Sequence, residues 1–130
     1  MTFGYTIIYV EDVPQTVAFY EAAFGLARRF VHESGDFGEM ETGATALAFS
    51  SVKLMRQLGK NPQPARADAP SFEIAFTTPD VEAALARALA AGARLVRPVE
   101  QMPWGQTIAY VADLNEVLVE LCTPVAPPQA

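Results

Sequence analysis

The chain repeats one arrangement of secondary-structure signals in its two halves. In the first half, a β-branched and aromatic run over residues 6–10 predicts a strand, and Asp12 predicts the start of a helix. The second half shows the same order, with a strand-like run over residues 72–78 and a helix that follows Asp80. A repeat of this kind predicts two copies of one supersecondary module joined in tandem.

The match between the halves continues beyond the helices. Gly25 and Gly92 are predicted to end them, and the tripeptides at 37–39 and 104–106 (Phe-Gly-Glu and Trp-Gly-Gln) follow at the same distance. Each half then holds three further strand-like runs, at residues 26–32, 37–41 and 45–50 and at residues 94–98, 107–111 and 117–122. Each module therefore has the order βαβββ. Three consecutive strands per helix favour an α+β fold over a parallel α/β sheet.

The organisation predicted from this repeat is a single domain over residues 1–130. Module one covers about residues 3–52, a linker about 53–70 and module two about 71–124. The prolines between residues 59 and 70 are typical of a connecting segment. The tail from Pro124 onward, which contains Pro127 and Pro128, is expected to be loose.

Charge and cysteine content exclude several classes of protein. The net charge is -6 and the 9 Lys and Arg residues form no basic run, so a nucleic-acid partner is not expected. The single cysteine, Cys122, cannot form an intrachain disulfide, which fits a reducing compartment. Residues 1–6 lack the features of a signal peptide, and no apolar run approaches the roughly 20 residues of a membrane span. A cytoplasmic protein without a membrane partner is expected.

Two glutamates lie in the middle of predicted strands of the second module. Because strand side chains alternate between faces, Glu73 lies opposite Phe72, which is predicted to pack under the helix with Ile74 and Phe76. Glu120 also has apolar neighbours on both sides along its strand. Either these residues lie on a solvated face, or both point to one concave surface. On one surface they would repel, and a metal, a cation or a ligand donor would relieve the repulsion.

These features resemble the vicinal oxygen chelate superfamily, which includes glyoxalase I, extradiol dioxygenases, fosfomycin resistance proteins and bleomycin-binding proteins. The resemblance covers about residues 3–124 and rests on six local motifs: Tyr9-Val10-Glu11-Asp12-Val13, Phe19-Tyr20, Phe24-Gly25, Ala91-Gly92-Ala93, Asp113-Leu114-Asn115 and Val119-Glu120-Leu121. Trp104-Gly105-Gln106, after Pro103, also resembles a common subgroup of the superfamily. It implies curved mixed sheets that enclose a cleft, a small-molecule ligand and a homodimer.

In metal-dependent members of that superfamily, ligands come from the first and last strand of each module. The matching positions here are Tyr5, about Ala48, Glu73 and Glu120. Alanine cannot bind a metal and tyrosine seldom does, whereas a catalytic divalent metal needs about three protein ligands. The resemblance therefore implies no metal; if a divalent metal binds, Glu73 and Glu120 hold it. His32 lies away from these positions and is not expected to be a ligand.

Three functional hypotheses follow, and they leave open whether the protein is an enzyme. The first is metal-independent binding of a small, cationic or aromatic molecule in the cleft by Glu73 and Glu120, with Tyr5 and Trp104 for stacking and Gln106 for hydrogen bonding. The second is a metal-dependent glyoxalase-type lyase or isomerase, or a dioxygenase, that uses the two glutamates. The third is metal-free acid/base chemistry by the same pair.

Overall fold

The computed structural model describes residues 1–125, so the predicted tail from Pro124 lies mostly outside the described residues. The chain divides into two compact units, Met1–Pro64 and the residues from Ala65 onward. This division falls inside the segment predicted as a linker. Each unit contains one of the two predicted modules.

The first unit is a four-stranded sheet with one long and one short helix. Its elements are β1 (Tyr5–Val10), α1 (Val13–Phe24), β2 (Ala27–Val31), β3 (Phe37–Glu41), β4 (Ala46–Ser51) and α2 (Val52–Gln57). The strand order is β1-β4-β3-β2, in which β1 is parallel to β4 and the other pairs are antiparallel. The first and last strands of the module are thus neighbours.

The second unit repeats this topology. Its elements are β5 (Ile74–Thr77), α3 (Val81–Ala90), β6 (Arg94–Gln101), β7 (Thr107–Ala112) and β8 (Leu118–Cys122). The order is β5-β8-β7-β6, again with the first strand parallel to the last. The predicted α+β fold of two βαβββ modules with mixed sheets is confirmed.

Both long helices begin at the predicted aspartates. The Asp12 carboxylate accepts a hydrogen bond from the Gln15 amide at 3.0 Å, and the Asp80 carboxylate accepts one from the Ala83 amide at 3.0 Å. Each bond satisfies an amide that has no partner within the first helical turn. No helix within residues 1–125 is long and apolar enough to cross a membrane.

Each helix covers one face of its own sheet. In the first unit, Val17 and Tyr20 of α1 are fully buried, and the Tyr20 ring lies 4.9 Å from the ring of Phe49 on β4. In the second unit, Val81 and Ala88 of α3 are buried, as is Val119 on β8. Because strand side chains alternate, the opposite face of each sheet holds a separate set of residues that its own long helix does not cover.

Two details of the prediction are wrong. The segment assigned to the linker begins with a helix, because the Ser51 hydroxyl caps the Leu54 amide at 3.0 Å and Val52 and Met55 are buried. Phe72 does not pack under α3. Since β5 begins only at Ile74, Phe72 precedes the sheet and is 47% exposed.

Gly38 is expected to be required where α1 packs on β3. A Cβ atom at this position would lie 3.1 Å from Val13 Cγ1 and 3.2 Å from Val17 Cγ2. We expect Gly38→Ala to lower the free energy of unfolding by about 1–3 kcal/mol, since both contacts are tighter than ordinary packing. Urea denaturation measures this.

Gly4→Ala is the matched control, because nothing lies within 4 Å of the added Cβ. Its effect should stay within about 0.5 kcal/mol. Equal stabilities of the two variants would contradict the close packing of α1 on β3.

Candidate functional site

The two predicted glutamates lie on the uncovered face of the second sheet. Glu120 of β8 is paired with Ala75 of β5 on one side and with Tyr110 of β7 on the other. Glu73 lies immediately before β5, two residues from Ala75 and therefore on the same side. The prediction that both carboxylates share a face is consistent with this register.

Tyr110 connects the two carboxylates, and the sequence reasoning did not single it out. Its hydroxyl donates a hydrogen bond to Glu120 Oε2 at 2.7 Å. Burial raises the pKa of the Tyr110 hydroxyl far above its usual range, and the hydrogen bond to Glu120 and the charges of both glutamates raise it further. The hydroxyl therefore remains protonated at neutral pH and acts as a donor.

Glu73 shows the electrostatic cost of this arrangement. Burial raises the pKa of its carboxyl, and the negative charge of Glu120 raises it further, while an interaction with the Tyr110 hydroxyl partly opposes both. The side chain still contacts water, which screens part of the repulsion. The site therefore holds two acids with a single donor between them.

Cys122 lies on the same face, two residues beyond Glu120. Burial raises the pKa of its thiol to about 11, and the charge of Glu120 contributes next. Its sulfur is 3.7 Å from the carbonyl oxygen of Phe76. A thiol with this pKa is protonated at neutral pH and is a poor nucleophile.

The matched positions of the first module are now defined by register. Ala48 of β4 is paired with Ile7 of β1, as Glu120 is with Ala75, so Ala48 occupies the position of Glu120 without a shift. Tyr5 precedes Ile7 by two residues, as Glu73 precedes Ala75. Tyr5 is 57% exposed.

Glu39 is a buried acid on the uncovered face of the first sheet, and it was missed. It is paired with Ala48 on β4 and is 6% exposed. The sequence comparison aligned residues 37–39 with residues 104–106, which placed Glu39 opposite Gln106. The strand register shows that this alignment is wrong. Phe37 pairs with Ser50, and the corresponding pair in the second module is Ile108 with Cys122. Glu39 therefore matches Tyr110, two residues further along the strand.

Trp104 and Gln106 form part of the turn between β6 and β7. The Trp104 indole Nε1 donates to Gln106 Oε1 at 2.8 Å, and Gln106 Nε2 donates to the Thr123 carbonyl oxygen at 2.8 Å. Gln106 thus orients the indole, which is 65% exposed. The turn adjoins the start of β7 at Thr107, roughly 10 Å along that strand from Tyr110.

The side chains of the described part of the chain do not fit a metal centre. Within residues 1–125, no group of three or more His, Cys, Asp or Glu side chains lies together in a way that could hold an ion. Glu73 and Glu120 supply two carboxylates, fewer than a catalytic divalent metal needs. His32 Nδ1 is 2.8 Å from the Ser34 hydroxyl in the turn after β2, so this histidine belongs to a local turn.

A pocket of about 410 Å³ lies elsewhere in the second unit. It is formed by the first turn of α3, with Asp80 and Glu82, and by Gln101, Thr107 and Thr123 from the sheet. Neither Glu73 nor Glu120 lines it. This pocket is therefore separate from the surface around Glu73 and Glu120.

Glu73 should make stability depend on pH. Because its pKa is raised on folding, the folded protein holds this proton more tightly than the unfolded chain, and stability falls as the pH rises above the ordinary value of 4.5. We expect Glu73→Gln to be more stable than the original protein at pH 7 and equal to it at pH 4. Urea denaturation at both values measures the difference.

Glu33→Gln, in the exposed turn after β2, is the control and should show no such pH-dependent gain. A loss of stability in Glu73→Gln at pH 7 would mean that the ionised carboxylate is net stabilising, contrary to the repulsion described above.

Three solved structures illustrate the similarity of the fold. A glyoxalase-related enzyme from Fulvimarina pelagi has a TM-score of 0.84 at 22% identity, over 99% of this chain and 92% of its own. A glyoxalase/bleomycin resistance protein/dioxygenase family enzyme from Burkholderia phytofirmans PsJN has a TM-score of 0.81 at 19% identity, over 97% and 100%. TioX from Micromonospora sp. ML1 has a TM-score of 0.71 at 20% identity, over 95% and 98%.

At these identities the structures establish the fold alone. No curated protein matches the sequence. The family model described as Glyoxalase/Bleomycin resistance protein/Dioxygenase superfamily matches residues 2–121, nearly the whole chain. The protein belongs to this superfamily, as its tandem βαβββ modules and their shared topology lead one to expect.

Proposed function

We propose that the protein binds a small organic cation with an aromatic or amphipathic body, without a metal, on the uncovered face of the second sheet. The observation that carries this proposal is the pair of carboxylates, Glu73 and Glu120, with one hydroxyl between them. Two carboxylates with a single hydrogen-bond donor between them repel each other, and no positive charge within residues 1–125 lowers the pKa of Glu73 to offset this repulsion. A positively charged ligand offsets it.

The charge of the ligand follows from the protonation of the site. The Tyr110 hydroxyl keeps its proton and donates a hydrogen bond to Glu120, so the tyrosine offers no negative charge to a cation. The attraction comes from the two carboxylates, and it increases when a bound cation favours ionisation of Glu73. The protein as a whole has a net charge of -6, which also favours the approach of cations.

The aromatic preference rests on Trp104. Its indole N–H is already bonded to Gln106, which leaves the exposed ring face for contact. A flat cation can stack on such a face, and the ring quadrupole attracts its charge. The contribution of Tyr5 stays a prediction that rests on the family resemblance.

A second candidate function is metal-free acid/base chemistry, and the raised pKa of Glu73 favours it. A carboxyl that keeps its proton to higher pH can act as a general acid. An NMR titration of the Glu73 side chain tests this, because an ordinary pKa would remove the candidate.

Binding of proflavine, a flat aromatic cation, tests the primary proposal. We expect the protein to bind it, and Glu120→Gln to weaken that binding about tenfold, because the amide keeps the shape of the side chain but loses its charge. Isothermal titration calorimetry at pH 7 measures both affinities. Glu82→Gln is the control, since Glu82 lies on α3, which packs on the opposite face of the sheet, and the variant should bind as the original does.

Two results would overturn this proposal. One is unchanged proflavine affinity in Glu120→Gln. The other is stoichiometric zinc, nickel, manganese or iron in the purified protein that disappears in Glu120→Ala. That metal result would favour instead the metal-dependent lyase, isomerase or dioxygenase alternative.

We also propose that the protein is a homodimer. β1 and β5 each lie at the end of their strand order, and Tyr5, Ile7 and Tyr9 of β1 are exposed. An edge strand with apolar side chains favours association with another chain. We expect light scattering to give twice the chain mass of 14.0 kDa at micromolar concentration. A mass of one chain under these conditions would contradict this.

A further inference from the structure

Arg97 lies on the face of the second sheet that carries Tyr110 and Glu120. It is paired with Tyr110 across β6 and β7, and Tyr110 is paired with Glu120 across β7 and β8. Side chains of directly paired residues point to the same side of a sheet. One row across the uncovered face therefore runs from Ala75 through Glu120 and Tyr110 to Arg97.

The charge of Arg97 acts on this site only at its Tyr110 end. Burial, the hydrogen bond to Glu120 and the charges of both glutamates raise the pKa of the Tyr110 hydroxyl, and the Arg97 guanidinium lowers it. The pKa of Glu73 is raised by burial and by Glu120 and lowered by Tyr110, and Arg97 does not shift it. The guanidinium is thus close to the tyrosine but leaves the repulsion between the glutamates in place.

The row has opposite charges at two points that a small molecule can span. Neighbouring strands lie about 4.8 Å apart, so Arg97 on β6 and Glu120 on β8 are separated by roughly 10 Å between their Cα atoms. Tyr110 on β7 lies between them. The uncovered face is therefore negative towards β5 and positive towards β6.

Glu100 is the ion-pair partner of Arg97, and the pair is weak because it is exposed. Glu100 Oε2 lies 3.2 Å from Arg97 Nη2, and the two side chains are 45% and 55% exposed. Exposed pairs contribute little to stability, since water screens both charges. The planar guanidinium carries further N–H groups on Nε and Nη1. A carboxylate of a ligand can therefore bind Arg97 beside Glu100 or in its place.

The same charges disfavour two other classes of ligand. Glu100 is paired with Ile108, next along the face from Tyr110, so a simple anion meets three carboxylates as well as a net charge of -6. A dication would place its second charge near Arg97, which repels it. A ligand with one positive and one negative group fits both ends of the row.

We propose that the ligand of this site is a zwitterion, with a cationic group for Glu73 and Glu120 and a carboxylate for Arg97 on one aromatic or amphipathic body. This inference rests on the proposed function, and it makes Arg97 the residue that determines specificity. Guanidinium and carboxylate groups match in shape and can form two parallel hydrogen bonds. Glu100 competes with the ligand for the same guanidinium.

The test compares 4-amidinobenzoate, a flat zwitterion, with its methyl ester, which keeps the amidinium but lacks the negative charge. We expect isothermal titration calorimetry at pH 7 to show about fivefold tighter binding of the zwitterion, as one exposed charge pair provides. In Arg97→Gln the ratio of the two affinities should fall to about one, because only the zwitterion loses a partner. In Glu100→Gln the ratio should rise, because the competing carboxylate is gone.

A second measurement locates the effect without a variant. In a ¹⁵N-labelled sample of the full chain, the zwitterion should shift the side-chain Nε resonance of Arg97 and the ester should leave it in place. Arg87→Gln is the matched control for the calorimetry. Arg87 is exposed on α3, which packs on the opposite face of the sheet, so this variant should keep the original ratio.

The inference is wrong if the original protein binds the two probes equally, if Arg97→Gln keeps the original ratio, or if both probes shift the Arg97 Nε resonance alike. A lower ratio in Glu100→Gln would contradict it as well. When both probes still lose affinity in Glu120→Gln, the proposed function stands without this inference. When Glu120→Gln leaves both affinities unchanged, the proposed function fails and the inference fails with it.

Discussion

The parallel pairing of the first and last strands of each module is the constraint on which the rest of the structure depends. β1 pairs with β4 and β5 with β8, and in both cases the intervening chain forms a helix and two antiparallel strands. Parallel neighbours cannot be joined by a tight turn, so the crossover helix has to cover one face of the sheet. The other face keeps the side chains from which a site can be built. A shift of one residue would exchange the two faces.

The two modules use this common framework to place acids differently. In the second module the acid is Glu120 on the last strand, and Tyr110 beside it donates a hydrogen bond. In the first module the acid is Glu39 on the preceding strand, and Ala48 takes the place of Glu120. The same row across the sheet therefore contains a carboxylate hydrogen-bonded to a tyrosine in one copy and a carboxylate ion-paired with Arg29, at 3.6 Å, in the other.

Local patterns predicted much of the fold and part of the site. Aspartates at the helix starts identified both caps, because their carboxylates satisfy free amides in the first turn. Strand alternation placed each glutamate opposite the neighbouring apolar residues of its own strand, and the register of the paired strands then put Glu73 and Glu120 on one face. Tyr110 and Glu39 were missed for a different reason. Each becomes significant through a residue on an adjacent strand, and their own strands show only ordinary alternation.

By itself, the sequence determined the βαβββ order of each module and the ends of the two long helices, because these depend on residues a few positions apart. Only the tertiary structure decided which side chains are neighbours across the sheet. That register depends on loop lengths, on the irregularities within β2 and β6 and on the length of β6. For this reason residues 104–106, which match 37–39 in sequence, form a turn and the approach to β7. The tertiary structure placed Tyr110 beside the two glutamates that the sequence had singled out. It also showed that Glu39, which no motif marked, is a buried acid on the first sheet.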